Sequence, residues 1–184
     1  MIDSPRATAI TVPGIDGSGP THWQTLLDSA DPAVRRFQPS SWTEPQLDDW
    51  LAALDRAVDE AAPQPVLVAH SLGALLVAHY AAHSPGRVAG ALLVAIPDPH
   101  APVFPAAAPT FRHPPRRVLP FPSIVVASTD DPYDPSHVAP IYATAWGSRL
   151  VDAGAAGHLN AEAGYGPWPL AVALLEELRG HRPA

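Results

Sequence analysis

Three side chains of this chain are of the types that carry out nucleophilic catalysis together, and each follows an apolar run. Ser71 lies where the run 65–69 gives way to a second apolar stretch that predicts a helix. A tight strand-to-helix turn of this kind, a nucleophile elbow, exposes the serine hydroxyl above the edge of a sheet. The turn requires small residues two positions before and after the serine, and Ala69 and Gly73 meet that requirement. Alanine stands where the usual G-x-S-x-G pattern has its first glycine.

A serine hydroxyl is a weak nucleophile until an imidazole takes its proton, and the imidazole in turn needs a carboxylate partner. Asp131 follows the predicted buried strand 122–128. His158 follows a glycine in the loop beyond a short predicted strand, 148–152. The order serine, aspartate, histidine, with each residue at the end of a strand, predicts a catalytic triad of Ser71, Asp131 and His158.

Asp130 is the alternative to Asp131 as the acid of this triad. Asp131 is favoured because it directly precedes Pro132, which starts the turn after the strand. Asp130 lies closer to the strand and would instead cap or brace that turn. Both carboxylates also fit a purely local role as turn formers.

The chain has nine histidines, and the others fit the role of base less well. His70 adjoins Ser71, but neighbouring residues at a strand end point to opposite faces, so its ring is expected to project away from the serine. His79 and His83 have the i, i+4 spacing of a metal-binding pair. They lack a third ligand and a Glu-containing motif, so no metal site is predicted.

An oxyanion hole is expected from backbone N–H groups of two loops at the same sheet edge. Leu72, directly after the serine, supplies one donor. Ile15 is expected to supply the other, because Gly14 lets the backbone after the first predicted strand, 7–12, approach closely. The glycines of segment 13–20 match neither common nucleotide-binding pattern, so no phosphate-binding cofactor loop is predicted.

Four blocks of the sequence together resemble the RBBP9/YdeN-like group of compact serine hydrolases. They are Val12-Pro13-Gly14 with Thr21-His22-Trp23-Gln24, Ala69-His70-Ser71-Leu72-Gly73, Ser128-Thr129-Asp130-Asp131-Pro132-Tyr133, and Gly157-His158. The blocks extend over most of the chain. The resemblance implies an α/β-hydrolase fold and maps Ser71, Asp131 and His158 onto the family's nucleophile, acid and base. It implies a reaction class rather than a substrate.

The elements that must position these residues alternate between strands and helices, which predicts a parallel sheet with right-handed crossovers. The remaining elements are strands at 34–37 and 88–96 and helices at 44–61, 72–82 and 168–178. Leu170 is expected to face the sheet with the other leucines of the last helix. The fold class predicted is a three-layer α/β/α sandwich with a mostly parallel sheet of about six strands, one domain over 1–184, without a lid domain.

Residues 97–122 form a proline-rich connection that is too long for a minimal crossover and is expected at the rim of the site. One interpretation is a partial cap in which Phe104 and Phe111 line the substrate pocket and nearby arginines meet a substrate carboxylate. These arginines are Arg112, Arg116 and Arg117. The other interpretation is a solvated surface excursion.

Three further residues are candidates for the substrate pocket because they stand in the loops after predicted strands or close to them. They are Asp16, Trp23 and Tyr133. Trp23 also fits core packing beneath the first helix, since a large indole gains from burial.

Composition excludes several classes of partner. A net charge of −7 with 11 basic residues argues against nucleic acid, which needs a clustered positive face. The sequence has no N-terminal basic and apolar segment and no apolar run of about 18 residues, so neither export nor a membrane span is expected. The absence of cysteine excludes disulfides and is compatible with the cytoplasmic location that we expect. The sequence indicates no particular protein partner.

The sequence thus predicts a serine hydrolase that acts on a small-molecule substrate, an ester, a thioester or an amide, through an acyl-enzyme and without a cofactor. Ester and thioester are favoured over amide, because no feature marks an extended peptide groove. Two alternatives stay open. One is a non-catalytic binding module on a hydrolase scaffold, and the other is an acyltransferase or lyase that uses the same serine.

Overall fold

The computed structural model describes residues 7–61 and 63–180, so the predicted domain bounds, 1–184, extend beyond the described residues. The strands are β1 (Ala9–Val12), β2 (Val34–Arg36), β3 (Val66–His70), β4 (Gly90–Val94), β5 (Ser123–Ala127) and β6 (Arg149–Asp152). The helices are α1 (Trp23–Ala30), α2 (Leu47–Glu60), α3 (Leu72–His83), α4 (Ala139–Trp146) and α5 (Pro169–Gly180). Each predicted strand is found, with ends shifted by one or two residues in most cases.

The six strands form one sheet in the order β2-β1-β3-β4-β5-β6, and each neighbouring pair is parallel. This confirms the predicted fold class, with a sheet that is wholly rather than mostly parallel. The register pairs Val12 with Ala69 and His70 with Val94. Strands β1, β3 and β4 therefore end at the same edge, and the loops after them meet there.

Helices cover both faces of the sheet and form two cores with it. Helices α2, α3 and α4 pack on one face with strand residues such as Leu67 and Leu93. Helices α1 and α5 pack on the other face with Val68 and Val94. Successive strand residues alternate between these cores because the strands are pleated. Burial on both faces explains why the strands are nearly continuous apolar runs rather than alternating patterns.

Helices α2 and α5 differ from the prediction in ways that local chemistry explains. Helix α2 begins at Leu47 rather than at 44, because a residue before a proline, here Pro45, is disfavoured in helical conformation. In α5, the buried face consists of Ala171, Leu174, Leu175 and Leu178. The expectation that Leu170 faces the sheet is wrong: it precedes this stripe by one residue and is 40 % exposed.

Helix α4 is not among the predicted elements, because Pro140 and its small neighbours give no clear apolar periodicity. The buried Asp134 marks its start: the carboxylate accepts hydrogen bonds from the N–H groups of Val138 and Ala139, at 2.7 and 3.1 Å. Burial raises the pKa of Asp134. In the described part of the chain, no helix has the length and apolar character needed to cross a membrane.

Candidate active site

Ser71 occupies the sharp turn between β3 and α3, with φ 55° and ψ −124°. A non-glycine residue rarely adopts this conformation, and surrounding contacts must hold it. The Ser71 N–H donates to the Val94 carbonyl at 2.9 Å, and the Ala74 N–H donates to the Ser71 carbonyl at 2.9 Å. Gly73 is required, since a Cβ there would lie 2.1 Å from the Val12 carbonyl oxygen. The chain therefore makes the strand-to-helix turn that its sequence predicts.

The side chains of Ser71, His158 and Asp131 form one hydrogen-bonded chain. His158 Nε2 lies 3.0 Å from Ser71 Oγ, and His158 Nδ1 lies 2.9 Å from each carboxylate oxygen of Asp131. Both His158 and Asp131 are buried, at 8 % and 6 % exposure. With the Nδ1–H directed at the carboxylate, Nε2 has a free lone pair for the serine proton.

Asp130 makes a different set of contacts from its neighbour. Its exposed carboxylate accepts hydrogen bonds from the Gly157 N–H at 2.7 Å and the Ser128 hydroxyl at 2.8 Å. These two donors lower the pKa of Asp130. Ser128 Oγ in turn accepts from the Ala156 N–H at 3.0 Å. Asp130 thus braces the loop that carries His158, whereas the sequence predicted that it would cap or brace the turn after its own strand.

Leu72 and Ile15, the predicted oxyanion donors, both lie at the cleft above Ser71. Gly14 packs directly against the turn: a Cβ there would lie 2.9 Å from Ser71 Cβ and 3.3 Å from the Leu72 nitrogen. Among the described residues, neither the Leu72 nor the Ile15 N–H has an intramolecular acceptor. Both groups are therefore free to donate to an oxygen bound beside the serine.

Three consecutive residues at the start of α1 tie this helix to the site. His22 caps the helix, its Nδ1 accepting from the Gln24 N–H at 3.2 Å. Gln24 is fully buried and donates through its side chain to the Val68 carbonyl of β3 at 2.9 Å. Trp23 Nε1 donates to the Leu159 carbonyl at 2.9 Å. Trp23 and Gln24 therefore anchor the loops around the serine and the histidine, whereas His22 also lines the cleft.

The rings of His70 and His22 continue a row that begins at His158, and both residues also line the cleft, at 5 and 6 % exposure. The ring centroids of His158 and His70 are 4.8 Å apart, and those of His70 and His22 are 4.9 Å apart. Burial lowers the pKa of His22 to about 4 and that of His70 well below its ordinary value, so both rings are neutral at pH 7. His70 Nε2 lies 2.8 Å from the His158 carbonyl oxygen. No local sequence pattern indicates this contact, which joins residues 88 positions apart.

A cleft of about 510 Å³ opens above Ser71 and is bounded by several loops. Asp16 and Tyr133, two of the predicted pocket residues, line it, and so does Glu162 from the segment after His158. The Tyr133 ring packs on the ring of His158, with centroids 4.4 Å apart. The connection (97–122) contributes Pro97, Val103 and Pro105. Its predicted position at the rim of the site is therefore found.

Three of the predicted pocket residues do not line the cleft. Trp23, Phe104 and Phe111 are buried at 2, 4 and 0 % exposure. The Phe111 ring packs on Trp50, with centroids 5.4 Å apart. These expectations are wrong because large aromatic side chains gain most from full burial, and the connection turns the smaller Val103 to the cleft.

The three arginines of the connection are likewise absent from the cleft wall. Arg112 donates to the Pro99 carbonyl at 2.7 Å, and its guanidinium lies 4.9 Å from the Phe104 ring centroid. Arg116 lies over the Tyr142 ring. Arg117 donates to a carbonyl of α3. Arg112 braces the connection internally, whereas Arg116 and Arg117 reach α4 and α3, so the arginines do not line the cleft where they were considered as partners for a substrate carboxylate.

A parallel sheet covered by helices on both faces, with a serine at a strand-to-helix turn and an aspartate and a histidine after later strands, defines the α/β-hydrolase class. Comparison with families of known proteins agrees. The model of the serine hydrolase family matches residues 9–177, and the chain belongs to that family.

Solved structures place it beside the YdeN-like proteins, as the four sequence blocks predicted. A protein of Pectobacterium atrosepticum described as a YdeN-like hydrolase is 33 % identical, with a TM-score of 0.83 over 95 % of this chain and 91 % of that chain. The ydeN gene product of B. subtilis is 20 % identical, with a TM-score of 0.79 over 94 % and 98 % of the two chains. A monoacylglycerol lipase of Paleococcus ferrophilus, 13 % identical with a TM-score of 0.73 over 96 % and 95 %, shares the fold. No curated protein matches the chain.

Proposed function

We propose that this serine hydrolase is a carboxylesterase-type enzyme in which Ser71 is the nucleophile, His158 the general base and acid, and Asp131 the group that orients His158. The observation that carries the proposal is the continuous hydrogen-bonded chain from Asp131 through His158 to Ser71, at 2.9 and 3.0 Å. Hydrogen-bond distances between the serine, the histidine and the carboxylate are the geometric requirement for proton transfer from a serine.

In the first half of the reaction, Ser71 Oγ bonds to the substrate carbonyl carbon while its proton passes to His158 Nε2. The π electrons move to the carbonyl oxygen, which accepts hydrogen bonds from the Leu72 and Ile15 N–H groups. The tetrahedral intermediate collapses, the bond to the leaving group breaks, and the leaving group takes the proton from His158. Water then attacks the acyl-enzyme by the same sequence, which releases a carboxylic acid and restores Ser71.

A small ester or thioester is the substrate class that we favour. The cleft volume of about 510 Å³ lies within the range of roughly 300–1,000 Å³ usual for small-molecule sites. Pro97, Val103 and Pro105 give one side of it an apolar wall without arginine. The acidic side chains that line it are Asp16 and Glu162, which disfavour a carboxylate on the substrate.

The test is labelling with a fluorophosphonate probe followed by peptide mass mapping, with hydrolysis of p-nitrophenyl acetate and butyrate measured alongside. We expect one labelled peptide, containing Ser71, and ester hydrolysis that is lost in Ser71→Ala. Ser29→Ala removes an exposed serine of α1, which is distant from all three triad residues in sequence and does not line the cleft, and serves as the matched control. In this control, labelling and hydrolysis should be unchanged.

Each result distinguishes among the open alternatives. Absence of labelling in folded protein contradicts the proposal and favours a binding module on a hydrolase scaffold. Labelling of Ser71 with transfer of the acyl group to an added alcohol, but without release of acid, favours an acyltransferase instead.

A further inference from the structure

His158, the proposed general base, is held in place through its backbone as well as through its imidazole ring. His158 lies between Gly157 and Leu159, whose φ angles are 55° and 50°. A left-handed conformation is unfavourable for leucine, so this turn does not persist through local preference alone. Contacts from other elements must keep it in place.

Two ring N–H groups supply such contacts at consecutive carbonyl oxygens. Trp23 Nε1–H donates to the Leu159 carbonyl at 2.9 Å. His70 Nε2 lies 2.8 Å from the His158 carbonyl oxygen. Since a carbonyl oxygen can only accept, His70 must carry its proton on Nε2 and donate it there.

His70 is well suited to hold a neighbouring residue without reacting itself. It is the last residue of β3, is 5 % exposed, and belongs to the face of the sheet covered by α1. Its ring meets those of His22 and His158 edge to face. Burial first, and the neighbouring histidines second, keep the pKa of His70 low, so that the contact adds no positive charge beside His158.

We propose that His70 is a positioning residue for His158: its Nε2–H fixes the His158 carbonyl and thereby keeps the imidazole within reach of Ser71 Oγ. The inference rests on the proposed function and deepens it. Its consequence is that loss of this one donor slows proton removal from Ser71 without weakening the binding of a reactive probe. Misplacement of a catalytic group by about 1 Å is sufficient for such an effect.

The experiment measures fluorophosphonate labelling of Ser71 as a rate at saturation, kinact, and a probe affinity, KI. We compare the wild-type protein with His70→Leu, which removes the donor, and His70→Gln, whose amide N–H can replace it. We expect His70→Leu to lower kinact by about 10- to 100-fold with KI nearly unchanged. His70→Gln should recover most of the lost rate. His79→Leu is the matched control, since His79 is a half-buried histidine of α3 that packs near Phe111 and does not line the cleft.

The outcomes separate the two proposals. If the wild-type protein is not labelled at Ser71, the proposed function fails. If the wild-type protein is labelled and His70→Leu reacts at the same kinact, the function stands and the positioning role is wrong. Equal losses in His70→Leu and His70→Gln at unchanged thermal stability also contradict it, because the donor would then be irrelevant.

A second measurement decides the question if His70→Leu does not fold. In ¹⁵N-labelled wild-type protein, imidazole NMR should show His70 neutral, protonated at Nε2, with a slowly exchanging Nε2–H. A His70 ring protonated at Nδ1, or one whose Nε2–H exchanges freely with water, overturns the inference.

Discussion

Two loops at the same edge of the sheet border the cleft, and they are held in place by different means. In the histidine loop (153–160), peptide N–H groups donate to Ser128 and Asp130, and carbonyl oxygens accept from the rings of His70 and Trp23. The connection (97–122) is instead anchored by side chains that enter the core. These are Phe104, Phe111, Leu119 and Phe121.

This difference matches the tasks of the two loops. Hydrogen bonds are directional, so four of them on one short turn fix the position of a single imidazole nitrogen. Apolar burial is non-directional and fixes a surface rather than an atom. Changes in the histidine loop should therefore affect the rate of reaction first, whereas changes in the connection should affect stability and substrate binding first.

The largest effect is expected from changing Asp131, whose carboxylate contacts the His158 ring. Asp131→Asn should lower kcat for p-nitrophenyl acetate by about 10⁴-fold, because an amide no longer favours the tautomer with Nε2 free. Asp130→Asn, one residue away, keeps an acceptor for the Gly157 N–H and should lose far less activity. Steady-state kinetics on both variants checks this. A greater loss in Asp130→Asn would identify Asp130 as the acid.

The next largest effect is expected at an anchor of the connection. Phe111→Ala should lower the free energy of unfolding by about 3–5 kcal/mol, because Phe111 is fully buried against Trp50. Urea denaturation measures the loss, and Val118→Ala, at a position 71 % exposed in the same connection, is the control. The labelling rate of Ser71 in the fraction that remains folded should change little. A variant of normal stability and abolished labelling would contradict the division of tasks between the loops.

The same contrast explains what the sequence could and could not predict. Ser71, Asp131 and His158 each end a local pattern, an apolar run followed by a turn, and parallel strands bring such ends together. The contact between His70 and His158 joins residues 88 positions apart, and that between Trp23 and Leu159 joins residues 136 positions apart. No local pattern encodes a hydrogen bond to a carbonyl at that distance along the chain.

The side-chain positions in the connection could not be predicted for a different reason. Its sequence shows aromatic and basic residues between prolines, which fits a cap as well as a surface loop. Whether Phe104 faces the cleft or the core depends on the space left between α2, α3 and the loop itself, which only the tertiary structure defines. The buried aromatic positions were therefore predicted wrongly, while the place of the connection at the rim was predicted correctly.

A third prediction concerns the free energy of unfolding at acidic pH, because a neutral histidine lies against each of the two loops. Burial lowers the pKa to about 4 for His22, beside the histidine loop, and for His79, beneath the connection. In the unfolded chain these rings titrate near 6.5, so the unfolded state binds more protons between those values. The stability that these histidines contribute is therefore complete above about pH 6.5 and is lost as the pH falls toward 4, by at most about 1.4 kcal/mol per pH unit for each ring.

Urea denaturation at several pH values measures this slope. His79→Leu should flatten it between pH 6.5 and 4, and Val118→Ala, which removes no titratable group, should leave it unchanged. An unchanged slope in His79→Leu would show that this ring is protonated in the folded protein as readily as in the unfolded chain.

The smallest expected effect is a preference of the cleft for a neutral ester over an anionic one. The connection presents Pro97, Val103 and Pro105, whereas the loops after β1 and after His158 present Asp16 and Glu162. A substrate carboxylate in the cleft meets the like charges of Asp16 and Glu162 in a partly exposed site, where each pair is worth well under about 1 kcal/mol at physiological salt. The enzyme should therefore prefer p-nitrophenyl butyrate to the p-nitrophenyl monoester of succinate by a few-fold in kcat/KM, and the preference should shrink as salt is raised. The double variant Asp16→Asn, Glu162→Gln should remove most of that preference. The control Val103→Ala, in the apolar wall, should alter KM for both esters equally. A preference that survives the double substitution would assign the selectivity to the apolar wall, and so to the connection rather than to the loops that present Asp16 and Glu162.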